Sequence, residues 1–114
     1  MAVELTKPWL DLNDEAVAKL PGQLGVYELA DEAGQTIYIG FAGGRSLFGL
    51  RSELEVHLGQ AQKFRVEVTN AYRTRHRELL MAYHARHGVY PAANTDDETQ
   101  GLGRISLQGG KDAS

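Results

Sequence analysis

Four residues in this 114-residue sequence carry side chains suited to acid–base or anion chemistry in settings where that chemistry would be usable: Tyr27, Tyr38, Arg51 and Glu78. Tyr27 and Tyr38 lie eleven residues apart in the stretch GVYELADEAGQTIYIG, Gly25 to Gly40. Val26, Leu29, Ile37, Tyr38 and Ile39 supply apolar, β-branched and aromatic residues on either side of a polar turn at Asp31 to Gln35, which predicts a β-hairpin. A turn centred on Glu32 to Gly34 brings the two phenols close across the ladder. Gly25 precedes Tyr27 by two residues and Gly40 follows Tyr38 by two; glycine inside a strand pattern marks a bulge or a close approach by another group. Paired phenols beside bared backbone are groups that donate and accept protons.

Arg51 and Glu78 stand on the two helices predicted after the hairpin. Leu47, Leu50, Leu54 and Leu58 recur as one stripe over Leu47 to Leu58, with Ser46 as its cap. Arg51 falls within about 60° of the centre of that stripe at 100° per residue. A guanidinium so placed either snorkels past the leucines to solvent or finds an acid, a carbonyl or an anion. The longest helix, Ala71 to His87, is capped by Thr69 or Asn70 and ended by Gly88, with Pro91 preventing its continuation. Tyr72, His76, Leu79, Leu80, Tyr83 and His87 form its apolar stripe, and Arg73, Arg77 and His84 a basic one. Glu78 sits on a third face of small residues with Ala71, Met81, Ala82 and Ala85. It is either an exposed acid three residues from Arg75 or a carboxylate brought close to another element.

The remaining elements complete an α+β domain. Trp9 behind Pro8 anchors the first segment, and Asn13 caps a short helix ending before Pro21 and Gly22. Phe41 to Arg45, FAGGR, is a glycine-rich loop without the Lys-Ser/Thr ending of a nucleotide P-loop. Lys63 to Thr69 alternates as a strand with Phe64, Val66 and Val68 on one face, and should join the hairpin as its third strand. The expected architecture is a small three-stranded antiparallel sheet flanked by helices, in the order β-β-α-β-α. Residues 1–20 form an N-terminal extension, 21–95 the domain, and 96–114 an acidic and then glycine-rich tail with a possible short strand at Arg104 to Leu107.

Gly25-Val26-Tyr27 followed by Tyr38-Ile39-Gly40 resembles the paired signature of the GIY-YIG nuclease superfamily, and the resemblance covers about residues 20 to 94. It implies a metal-dependent endonuclease that hydrolyses nucleic-acid phosphodiester bonds, in DNA rather than RNA. It implies that Tyr27 or Tyr38 positions or deprotonates the attacking water, that Arg51 binds the phosphate, and that Glu78, in the run Arg-Glu-Leu-Leu, holds one Mg²⁺ or Mn²⁺. Asn94, after the last helix in a proline-containing loop, would support the site. Gly40, Arg45, Lys63, Arg73 and Arg77 would contact substrate. Phe41 departs from the pattern, since some members have a basic residue there, and Arg51 comes later after Tyr38 than is usual. A domain of the same fold that binds nucleic acid or a protein without cutting is the alternative.

Composition sets the bounds. The length is that of one domain. Net charge is −3, but the distribution is uneven. Residues 1–40 hold two Lys/Arg against seven Asp/Glu, whereas residues 41–90 hold eight against four. All four histidines also lie in that basic middle, which is either a phosphate-facing surface or a solvated helix surface. There is no cysteine, which excludes disulfides and thiolate metal sites and fits a reducing, cytoplasmic setting. No apolar run approaches the ~20 residues of a membrane span. Histidine spacing in the last helix gives no firm zinc set.

Overall fold

The hairpin is closed by one side chain. In the computed structural model, which describes residues 5, 7–20, 22–43 and 48–95, Asp31 Oδ1 accepts hydrogen bonds from the N–H groups of Ala33 (3.0 Å) and Gln35 (2.9 Å). The carbonyl of Asp31 accepts from Gly34 N–H at 3.0 Å, and Gly34 takes φ +85°, a value that glycine adopts without strain. The arms are β2, Gly25–Ala30, and β3, Thr36–Ala42. They pair antiparallel with Tyr27 opposite Gly40 and Leu29 opposite Tyr38, so both tyrosines point to one face of the sheet.

The other elements are β1 (Leu10–Asp11), α1 (Asp14–Ala18), α2 (Gly49–Val56), β4 (Lys63–Val68) and α3 (Tyr72–His87). The fold is α+β, but the sheet has four strands, in the order β1-β4-β2-β3, rather than the expected three. The additional strand is β1, two residues that pair with Phe64 and Lys63 of β4. β4 joins the hairpin through β2, which puts β4 and β2 inside the sheet and leaves β3 at an edge.

Strand alternation divides the core in two. Tyr27, Leu29, Ala42, Phe64 and Val66 face α1 and α2, packing with Val17, Leu20, Leu50 and Leu54. Val26 and Ile39 face α3, packing with Leu79, Leu80 and Tyr83. Burial of such side chains is the dominant favourable term in folding. Asn13 caps α1 as expected, accepting from Ala16 N–H at 2.8 Å. Gly88 ends α3 at φ 78°, its N–H donating to His84 O.

Two helix starts differ from expectation. Ser46 and Leu47 lie outside the described residues, and α2 begins at Gly49 with Phe48 as N-cap. Gly49 holds φ +56°, and a β-carbon there would stand 2.3 Å from Gln23 O. In α3 the N-cap is Ala71, and Thr69 contributes its Oγ1 to Ala71 N–H. Among the described residues no helix is long and apolar enough to cross a membrane.

Candidate active site

The two phenols meet as expected, but their third neighbour is a histidine. Tyr27 is buried, and its hydroxyl lies 3.0 Å from His57 Nε2. Ring centroids are 6.0 Å apart for Tyr27 and Tyr38, 5.6 Å for Tyr27 and His57, and 5.2 Å for Tyr38 and His57. His57 sits at the C-cap of α2, where the helix ends beneath the hairpin. Gln60 meets its other ring nitrogen. The amide Nε2 of Gln60 donates to Val56 O at 3.3 Å, which turns Oε1 toward His57 Nδ1 at 3.2 Å. An amide oxygen can only accept, so in this arrangement Nδ1 is the donor to Gln60, and Nε2 is the ring nitrogen that faces the Tyr27 hydroxyl.

Gly40 completes the cluster from below. A β-carbon at Gly40 would lie 2.5 Å from Cζ and Oη of Tyr27 and 2.7 Å from Cε2 of Tyr38. The group that approaches this bare backbone is thus the Tyr27 ring, where a phosphate was expected. Beside the rings, a cavity of about 260 Å³ is lined by Leu29, Ile37, Tyr38, His57, Gln60, Ala93 and Thr95. Tyr38 is half-buried and lines it, whereas Tyr27 lies beneath.

Asn94 holds Tyr38 in place through the backbone. Its Oδ1 accepts from Ile39 N–H at 3.0 Å and its Nδ2 donates to Ile39 O at 2.9 Å, so one side chain imitates a neighbouring strand along the β3 edge. His76 Nε2 contacts the same carbonyl at 3.0 Å, and Ala93 N–H donates to Ile37 O at 2.8 Å. The residues on both sides of Tyr38 are therefore pinned. Asn94 thus holds the backbone of β3 beside Tyr38.

Arg51 does not reach fully to solvent, and among the described residues it meets no acid. Its Nε is shielded from solvent and has no hydrogen-bond partner, and its guanidinium carbon lies 5.7 Å from the centroid of the Phe48 ring. A buried charged donor left unmatched costs several times what a formed hydrogen bond contributes, so this site favours an anion. Arg51 and His57 are six residues apart, which places them about 120° apart around α2, astride Leu54.

Glu78 is the member of the expected set that stands elsewhere. It lies on α3, which packs against the sheet face opposite the phenols. Its side chain is 53% exposed and sits 3.6 Å from Arg75 Nη1, and Arg75 also binds Glu67 at 3.1 and 3.2 Å. The reading as an exposed helix acid beside Arg75 is the one the fold adopts. A single exposed carboxylate engaged by an arginine, across the sheet from both tyrosines, does not fit a Mg²⁺ or Mn²⁺ shared with them. Among the described residues no group of three or more His, Cys, Asp or Glu is placed to hold a metal.

The expected substrate contacts scatter in the same way. Lys63 binds Asp11 at 3.3 Å on the β1–β4 side of the sheet, away from the β3 edge. Arg73 and Arg77 are exposed on one flank of α3. Arg45 lies outside the described residues, as do the proposed tail strand and residues 96–114.

Two features escape sequence reasoning. His57 continues the Leu50–Leu54 stripe at the next helical step, a spacing that would have flagged it as sheet-facing. Glu28 is buried and bound by Arg65 Nε at 2.6 Å, with Thr36 Oγ1 at 3.2 Å and Trp9 stacked on Arg65 at 4.2 Å. Its partner comes from a cross-strand register that no local pattern reveals.

No curated protein and no solved structure matches the chain. A family model does match it, over residues 3–87, a span that contains the hairpin, α2 and α3 but stops short of Asn94. The chain therefore belongs to the family of the domain of unknown function DUF7508.

Proposed function

We propose that this protein hydrolyses phosphodiester bonds of nucleic acid at the face of the hairpin that carries Tyr27, Tyr38 and His57. The observation that carries the reading is the hydrogen-bonded series Gln60–His57–Tyr27 lying directly under the half-buried Tyr38 and its cavity. With His57 Nε2 as acceptor, the imidazole draws on the Tyr27 proton and makes that phenol oxygen the electron-rich member of a pair of rings. Tyr38, at the cavity, orients the attacking water. Arg51 supplies the unmatched donor that a phosphate oxygen would satisfy as negative charge develops on it. The element order, the paired triplets and the support from Asn94 fit the resemblance to GIY-YIG nucleases. Glu78 has no part in this proposal, and DNA in the cytoplasm is the substrate it favours.

The placement of Glu78 favours a second reading, a domain that binds nucleic acid without cutting it. Incubating the protein with plasmid, branched and single-stranded DNA in Mg²⁺, Mn²⁺ or EDTA separates the two. The proposal expects cleavage that is lost in Arg51→Ala and Tyr38→Phe and kept in Glu78→Gln, with all variants folded. Salt-dependent binding without cleavage supports the second reading. Cleavage that depends on Glu78 but not on Arg51 would refute the assignment of roles.

A further inference from the structure

The edge strand β3 turns a second set of rings to its other face. Phe41 and Tyr72 stack with centroids 5.5 Å apart and planes 23° apart, and both are half-buried. The guanidinium carbon of Arg73 lies 5.8 Å from the Phe41 centroid and 5.9 Å from that of Tyr72. Arg73 is exposed and, among the described residues, has no acidic partner. His76 meets Phe41 edge-on at 4.9 Å and fixes the ring from within. A β-carbon at Gly43 would come within 2.9 Å of Tyr72 and 3.2 Å of Phe41, so glycine lets the chain leave β3 past the edges of both rings. Arg77, one turn along α3, extends the positive charge.

We infer that Phe41, Tyr72 and Arg73 form a stacking platform for an unpaired segment of nucleic acid. Every base presents a π-face, and two stacked aromatic rings accept another ring in the same series. An arginine at the rim meets the backbone phosphate or stacks in turn. A duplex keeps its bases stacked on one another and offers the platform only phosphates. The aromatic residue at position 41, a departure from the basic residue found in some GIY-YIG nucleases, is what gives this site its preference for unpaired strands. Phe41 lies three residues beyond Tyr38, about 10 Å along the edge strand and on its other face, so a strand held there reaches the proposed reaction face by passing around the β3 edge. The inference deepens the proposed function by naming the substrate as single-stranded or partly unwound. It rests on that reading only for the claim that the held strand is then cut.

Fluorescence anisotropy of the full chain with an oligothymidine of about 15 nucleotides and with a duplex of equal length tests it. Tighter binding to the single strand is expected, and Tyr72→Leu should weaken it on the order of tenfold while leaving duplex binding unchanged. Arg73→Gln, an exposed change that leaves the core intact, should weaken binding to both polymers and lower the salt slope by about 1. Arg51→Ala should retain the single-strand preference, which separates failure of the platform from failure of the nuclease. Equal affinity of the wild type for both polymers, binding to neither, or unchanged single-strand affinity in Tyr72→Leu and Arg73→Gln would each overturn the inference.

Discussion

The two faces of the sheet treat charge in opposite ways. On the α3 face the carboxylates are matched, Glu28 by Arg65 and both Glu67 and Glu78 by Arg75, while Arg73 and Arg77 stay exposed at its rim. On the α2 face a guanidinium nitrogen is buried without a partner among the described residues, and a phenol is hydrogen-bonded to an imidazole that an amide meets on its other side. Ion pairs that are already closed hold a fold together. A buried donor without a partner is available to something that arrives from outside. The contrast indicates where chemistry is to be sought, and it moves attention from Glu78 to His57.

Breaking the matched face should cost the most. Glu28 is 4% exposed at its side chain and Arg65 16%, so Arg65→Ala strands a buried carboxylate and should destabilise by about 3–5 kcal/mol, read from urea unfolding. If that loss proves negligible, the α3 face is not held by its charges. On the other face, Gly40→Ala forces a methyl into the Tyr27 ring and should cost about 1–3 kcal/mol while disturbing the ring resonances of Tyr27 and Tyr38. Asn94→Ala should fall in a similar or slightly lower range, about 1–3 kcal/mol, because Ile39 N–H loses its acceptor, and amide exchange at Ile39 should accelerate. The smallest effect belongs to Glu78→Gln. Its contact with Arg75 is exposed and three residues apart, so its loss should change stability by no more than about 0.5 kcal/mol. A large loss there would place Glu78 in a network the contrast denies it.

Much of this was legible in the sequence, for reasons that differ by element. The hairpin was readable because its alternation and its Asp-and-glycine turn are local, and the same holds for Asn13 as a cap and Gly88 as a stop. The strand β4 and the buried stripe of α3 followed from periodicity. The strand β1 did not, since two residues carry no period and Leu10–Asp11 is a strand only because β4 lies beside it. Glu78 misled for a related reason. Small neighbours such as Ala82 and Ala85 suit a close-packed face and a solvated one equally, and only the tertiary placement of His76, Leu79, Leu80 and Tyr83 against the sheet decides between them. The tyrosines were found by type and spacing, but the hydrogen bond from Tyr27 to His57 spans thirty residues and depends on where α2 ends.

That the reacting phosphate is held on the α2 face, whatever strand the α3 side grips, can be checked by following the Arg51 Nε–H resonance in a ¹⁵N-labelled protein titrated with a short oligonucleotide. This resonance and those of Tyr38 and His57 should shift together with saturation, with the amide of Glu78 unmoved. Saturable shifts centred on Glu78, with Arg51 and Tyr38 unchanged, would contradict it.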